Sequence, residues 1–349
     1  MRVYISADME GVTGVVDAQD VQLGGCDYER GRTAMTQDVN AAIRGILAVA
    51  DAAEITVNDA HGLMRNILPD QLHPAASLVR GKPKAMGMLE GLHRGHDAMV
   101  CVGYHSRAGT LGVLSHSFMG HEIDDMWLDG RPVGEIGLAH ATAAALGVPV
   151  AALSGDDTAC AEMTAWDPAV ATAVVKHARD RFAAELLAAD HARAAIEAAV
   201  AEGLRAAVQA SGAVSPAGAV SPAGVVTPAG AVAASAAALP GSAPGTSAAG
   251  AQVLAGPAAG APALAAPAAG APVLAGSAAG APALPLGQAR TLAVRWQSAS
   301  VAAQLLAIPG VRALDGRTVE VSGDLPGLYR LFGVFMRVAT ALTNQQPYC

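Results

Sequence analysis

Three short runs of this 349-residue chain put metal-capable side chains directly after apolar, β-prone stretches: Ala7-Asp8-Met9-Glu10-Gly11, Val57-Asn58-Asp59-Ala60-His61 and Gly103-Tyr104-His105. In an open parallel sheet the carboxyl ends of successive strands share one edge, so residues far apart in sequence converge there. A metal site is the leading expectation. Asp8 and Glu10, two positions apart at a strand end, point to the same face. Carboxylates that close repel unless one is protonated or a cation lies between them. The plainer alternative is a pair of acids at a helix start, favoured by capping and by the helix dipole.

His61 follows Asp59, which is placed to orient a ligating imidazole through its other ring nitrogen. His105 closes a third apolar strand. Glu135 follows Arg131-Pro132-Val133-Gly134 and opens a helix, where a glutamate also suits the dipole without any metal. Three carboxylates and two neutral imidazoles leave one divalent ion with excess negative charge, whereas two ions and a bridging hydroxide reach neutrality. Such a mixed N/O set suits two zinc ions about 3.5–4 Å apart sharing a carboxylate. His116, in Ser115-His116-Ser117, either completes the metal shell or stands beside it as acid, base or nucleophile. A packed or solvated loop histidine is the bland alternative. Neither Ser115 nor Ser117 has a G-x-S-x-G setting, so a serine nucleophile is disfavoured.

The elements that must position these residues alternate in the βα manner. Strands are expected at Arg2–Ala7, Glu54–Asn58, Ala98–Gly103 and Val148–Leu153, and helices at Thr33–Ala52, near Met88–Leu92 and at Gly134–Leu146. Short apolar strands separated by helices argue for an α/β fold, a mostly parallel sheet with helices on both faces. Beyond Asp167-Pro168 come a strand at Thr172–Val175 and helical sequence to about Ala210. Strands at Arg290–Trp296 and Arg317–Val321 and a helix at Leu325–Leu342 form the rest of a smaller C-terminal α+β portion.

Between the two parts of that portion, from about Ala206 to Ala289, there is no charged or aromatic residue. A six-residue repeat starts at Ser215, Ser221 and Thr227, and a ten-residue repeat begins near Ala251, Ala261, Ala271 and Ala281. Pro and Gly recur too often for helix or central strand, so a flexible, partly polyproline-like low-complexity insertion in a surface loop is expected. Its lack of charge also leaves a loosely collapsed loop open. The organisation is then residues 1–165 as the metal-binding α/β domain, 166–210 and 288–349 as the smaller portion, and 211–287 as the insertion. Roughly 265 residues remain for the core without it.

A net charge of −8 and no basic patch argue against nucleic acid. The chain starts directly on an expected strand with no leader, and no run of about twenty apolar residues escapes Gly and Pro, so no membrane span is read. Four scattered cysteines without a C-x-x-C pair fit a reducing cytoplasm.

Eight ordered runs then match a known pattern: Ala7–Gly14, Tyr28-Glu29-Arg30-Gly31-Arg32, Val57–His61, Leu72-His73-Pro74, Gly103-Tyr104-His105, Ser115-His116-Ser117, Arg131–Leu138 and Gly155-Asp156-Asp157. In these the chain resembles the D-aminopeptidases of the dipeptide-transport operon type, the M55 zinc peptidases, over about residues 1–205 and more loosely over 290–349. The insertion departs from the family pattern and lies outside every motif. The resemblance implies two zinc ions per subunit held by Asp8, Glu10, His61, His105 and Glu135, with His116 as the catalytic histidine. It also implies release of N-terminal D-amino acids from short peptides and a homo-oligomer, a ring-stacked decamer whose sites face an internal chamber. Two alternatives remain at this stage. One is a dinuclear amidase or phosphoesterase, for which only Arg107 and Arg131 are near in sequence; the other is a metal-stabilised assembly protein without turnover.

Overall fold

A computed structural model of the chain describes residues 1–213 and 288–343. The segment 214–287, which holds nearly all of the expected insertion, and the tail 344–349 lie outside the described residues. The first sheet has seven strands: β1 (Arg2–Ala7), β2 (Glu54–Asp59), β3 (Ala76–Val79), β4 (Ala98–Tyr104), β7 (Val150–Asp156), β8 (Ala171–Asp180) and β9 (Ala183–Leu186). Their order is β3-β2-β1-β4-β7-β8-β9, and all neighbours are parallel except β8 and β9. β1 thus lies between β2 and β4, at the point where the winding of an open sheet reverses and a crevice opens beyond the strand ends.

β1 shows why its strands must be apolar on both sides. Val3, Ile5 and Ala7 pack with α2 (Tyr28–Leu47) and α5 (Ala189–Ala213), while Tyr4 packs into the core on the opposite face. α2 lays Met35, Val39, Ile43 and Ile46 onto the sheet, a helical stripe in which each side chain contributes about 1.5–3 kcal/mol of burial. The other face carries α3 (Glu135–Ala145), α4 (Asp157–Trp166) and a second sheet. That sheet joins β5 (Ile123–Leu128), β6 (Arg131–Pro132), β10 (Arg290–Trp296), β11 (Arg312–Ala313) and β12 (Thr318–Gly323), in the order β11-β12-β10-β5-β6, all antiparallel. α7 (Leu325–Thr343) supplies Phe332 and Phe335 to the core shared with Met99, Leu153, Ile136 and Trp296.

The α/β layering and the smaller C-terminal α+β portion are those expected, with local differences. α2 starts at Tyr28, more than a turn earlier than predicted, and Gly31 in its first turns lets the Asp20 carbonyl approach to where a Cβ would lie 2.2 Å from that oxygen. The helix expected near Met88 is a single 3-10 turn at Gly87–Leu89. Ala183–Leu186 has helix-forming composition yet folds back as β9, because pairing with β8 overrides local preference. Sheet membership also crosses the boundary placed near residue 165. β8 and β9 complete the first sheet and α5 packs on it, whereas β5 and β6 join the second.

Candidate metal centre

Asp8 is the first residue beyond β1, and its N–H donates to the Val102 carbonyl of β4 at 2.8 Å. Three residues on, the Gly11 N–H donates to the Gly103 carbonyl, also at 2.8 Å. A Cβ at Gly11 would stand 1.9 Å from the Tyr104 carbonyl oxygen, and one at Gly103, where φ is +71°, would stand 2.4 Å from the Asp8 carbonyl oxygen. Only glycine at both positions lets the loop after β1 lie across the end of β4. That crossing sets Asp8 and Glu10 beside His105.

Lys176 of β8 fixes the same loop from beneath. Its Nζ is fully buried and donates to the carbonyls of Glu10 (2.6 Å), Val12 (3.0 Å) and Val15 (2.6 Å). Burial lowers the Lys176 pKa to about 8 against the pull of Asp156 and Asp38. β8 runs past the expected strand end at Val175 to Asp180, and Lys176 continues its apolar run.

All six expected residues come together, each at most 5 % exposed. His61 Nδ1 lies 3.0 Å from Glu10 Oε2 and 3.5 Å from Asp8 Oδ1. His105 Nε2 lies 3.4 Å from Asp8 Oδ2 and 3.2 Å from Glu135 Oε2. Each imidazole donates its remaining N–H to a main-chain carbonyl: His61 Nε2 to Val21 and His105 Nδ1 to Ser106, both at 3.0 Å. A carbonyl only accepts, so these bonds fix the tautomers and turn the other nitrogen toward the carboxylates. Asp59 does not serve His61, contrary to the sequence expectation. Its carboxylate accepts from the N–H groups of Asn66 and Ile67 and from Asn66 Nδ2, shaping the loop that follows His61.

Glu135 opens α3, and its Oε1 accepts from the Phe118 N–H at 2.6 Å. His116 donates from Nδ1 to the Leu114 carbonyl at 2.8 Å and turns Nε2 toward Glu10 Oε1 (4.0 Å) and Glu135 Oε1 (3.9 Å). Its ring stacks on His105 with centroids 4.2 Å apart and planes 8° from parallel. Asp156 caps α4 through Ala159 and also accepts from the Val113 N–H, tying the loop that carries His116 to β7.

Burial and the Glu10 charge raise the Asp8 pKa to about 7. Burial alone would depress His61, but Glu10 and Asp8 carry it up to about 10. His105 is likewise raised by Glu135, Glu10 and Asp8 against burial, while Glu10 and Glu135 are lowered by the histidines facing them. His116 moves the other way, lowered by burial and by the adjacent His105.

Both Asp8 oxygens, His105 Nε2 and Glu135 Oε2 are buried without a hydrogen-bond partner. Buried polar atoms that lack well-formed hydrogen bonds are costly in a core unless something else binds them. Ligand atoms of Asp8, Glu10 and His61 lie within 4.8 Å of one another, as do those of Asp8, His105 and Glu135, and those of Glu10, His105 and His116. The donor set fits divalent cations of the zinc type, and the first two triads meet at Asp8. Arg107 and Arg131 are committed elsewhere: Arg107 pairs with Asp125 at 3.6 Å, and Arg131 lies 3.6 Å over the Trp166 ring. Among the described residues no helix is long and apolar enough to cross a membrane.

Comparison with known proteins gives three findings. The Peptidase_M55 model, D-aminopeptidase, matches residues 1–243. A D-aminopeptidase of Bacillus subtilis (strain 168) is 40 % identical over 187 residues, 54 % of this chain and 68 % of that protein. The solved structure of the Zn-dependent D-aminopeptidase DppA from Bacillus subtilis, described as a self-compartmentalizing protease, matches with a TM-score of 0.72 and 26 % identity, over 97 % of this chain and 98 % of that one.

Proposed function

The chain belongs to the M55 D-aminopeptidase family of metallopeptidases, and from that membership we propose that it releases N-terminal D-amino acids from short peptides at a dinuclear zinc site served by His116. The observation that carries this reading is the placement of Asp8, with one oxygen 3.5 Å from His61 and the other 3.4 Å from His105. Asp8 would bridge two cations, with Glu10 and His61 holding one and His105 and Glu135 the other. Zinc held there would supply Lewis-acid polarisation of the scissile carbonyl and an activated water.

The chain's own groups do the rest. The carbonyls of Val21 and Ser106 keep His61 and His105 in the ligating tautomers. His116, neutral and with Nδ1 committed to Leu114, presents Nε2 at the edge of the carboxylate cluster, where it would take a proton from the attacking group and return it to the leaving amine. The buried surroundings strengthen each of these interactions. With Arg107 paired to Asp125 and Arg131 stacked on Trp166, neither arginine favours a phosphate ester over an amide.

The assembly described for DppA leads us to propose a homo-oligomer for this chain, with the ring-stacked decamer as its specific form, and a cytoplasmic setting. The decisive experiment is hydrolysis of matched D-Ala and L-Ala dipeptides by zinc-loaded protein, with chelated protein and His116→Ala alongside. Metal-dependent and His116-dependent cleavage of the D-isomer is expected. Zinc binding without cleavage of either isomer would overturn the substrate assignment.

A further inference from the structure

A pocket of about 140 Å³ opens between the segment Lys82–Met88 and α7, and two of its lining residues, Met64 and Phe118, closely follow His61 and His116 in the chain. Met64 lies three residues after His61, and its N–H donates to the His61 carbonyl at 2.7 Å. Phe118 lies two residues after His116, and its N–H is the one that Glu135 accepts. Both line the pocket, and both hold a left-handed backbone, with φ of 55° and 56°. Non-glycine residues held in that conformation cost energy and cluster where function requires it.

The floor is apolar, with Met64, Met88, Phe118 and Met336, and the rim carries Lys82, Lys84 and Arg337 with no acidic side chain among the lining residues. That is a concentration of cations on a chain with net charge −8. Lys84 is committed: its Nζ donates to Asn58 Oδ1, the Asp59 carbonyl and the Val79 carbonyl. Lys82 and Arg337 are exposed.

We propose that this pocket receives the carboxyl-terminal residue of a short peptide substrate, its side chain on the methionine and phenylalanine floor and its free carboxylate between Lys82 and Arg337. This deepens the aminopeptidase reading and rests on it. The volume is below the ~300–1,000 Å³ of sites for drug-sized ligands, which suits one residue and selects against long chains. Cations on the rim favour a terminal carboxylate over an amide or a continuing chain by charge-assisted hydrogen bonds.

The test compares a D-alanyl dipeptide with its C-terminal amide on zinc-loaded wild type and on the double variant Lys82→Ala/Arg337→Ala. The expected result is a rise in KM for the free acid of about tenfold in the variant, with kcat within about twofold and the amide unaffected. Equal effects on acid and amide, or none on either, would overturn the proposal. If wild type cleaves neither peptide, the aminopeptidase reading falls. Calorimetric binding of the two peptides to the same zinc-loaded proteins then decides the pocket separately. Selective binding of the acid that is lost in the variant supports it, and equal or absent binding of the two rejects it.

Discussion

The His105 and His116 imidazoles lie face to face, 4.2 Å apart and 8° from parallel, with pKa values driven in opposite directions. His105 is raised by the carboxylates around it; His116 is lowered by burial and by the positive charge on its neighbour. A zinc ion on His105 would keep positive charge beside the stack, so His116 should stay neutral below the usual histidine range. The acid limb of kcat is therefore expected below pH 6.5 in wild type, and His116→Ala should lose at least about 100-fold in kcat while retaining zinc. A pH–rate profile with elemental analysis checks both. Near-wild-type turnover in the variant would remove His116 from the chemistry.

Zinc uptake should release protons. Without metal His61 titrates near 10 and His105 well above its ordinary value, so both carry a proton at neutral pH that a ligating imidazole cannot keep. Calorimetry at pH 7 in buffers of different ionisation enthalpy should show at least about two protons released per chain, from His61 and His105 with a further fraction from Asp8, and zinc affinity should rise from pH 6 to 9. Heats independent of buffer would contradict the assignment of these two histidines as ligands.

The metal-free protein should become less stable as pH rises. Asp8 titrates near 7 when folded against 3.8 when unfolded, so the folded state keeps a proton the unfolded chain has lost, and stability declines from about pH 4 to 7. His61, raised to about 10, adds stability that is complete below its unfolded value of 6.5 and disappears as pH passes 10. The Tm of chelated protein should fall between pH 5 and 9, and saturating zinc should reduce or reverse that slope. A flat Tm for the chelated form would show that the cluster does not set the pH dependence.

Lys176→Met would leave the carbonyls of Glu10, Val12 and Val15 without their shared donor in a buried setting. Urea unfolding should show a loss of about 2–4 kcal/mol. Because the same loop carries Glu10, zinc affinity should drop as well. Stability loss with zinc affinity unchanged would make Lys176 a support for the core alone.

Gly11→Ala places a Cβ 1.9 Å from the Tyr104 carbonyl oxygen, a contact that main chain cannot yield without moving the loop. Reduced zinc content and at least about tenfold lower kcat/KM are expected. Gly316→Ala, where nothing lies within 4 Å, is the neutral control. Equal behaviour of the two variants would show that the crossing of loop and strand is not required.

The convergence of the strand-end residues was legible because Asp8, His61 and His105 each follow a short apolar run. The sheet's parallel core was legible for the same reason, since strands buried on both faces cannot hide their composition. Other features depend on partners that no local pattern names. The Val21 carbonyl that orients His61 belongs to the main chain and has no residue-type signal. Asp59 looked like a histidine partner by proximity in sequence, yet its carboxylate serves the main chain of Asn66 and Ile67. In β5 the pair Asp124-Asp125 interrupts the apolar alternation, and its pairing with β10 spans segments far apart in the chain.

That pairing orders events during biosynthesis. Asp129, just beyond β5, accepts from the Thr291 N–H of β10, 162 residues away. At about 5–20 residues per second a ribosome takes roughly 8–30 s to travel that distance. Before Thr291 is made, β1, β2, β4 and finally β7 become available to close the first sheet, while Met126 and Leu128 wait for the strand that covers them. The nascent chain thus presents a nearly finished metal cradle beside an open apolar edge, a state in which early zinc capture and chaperone shielding would act on two different surfaces of the same molecule.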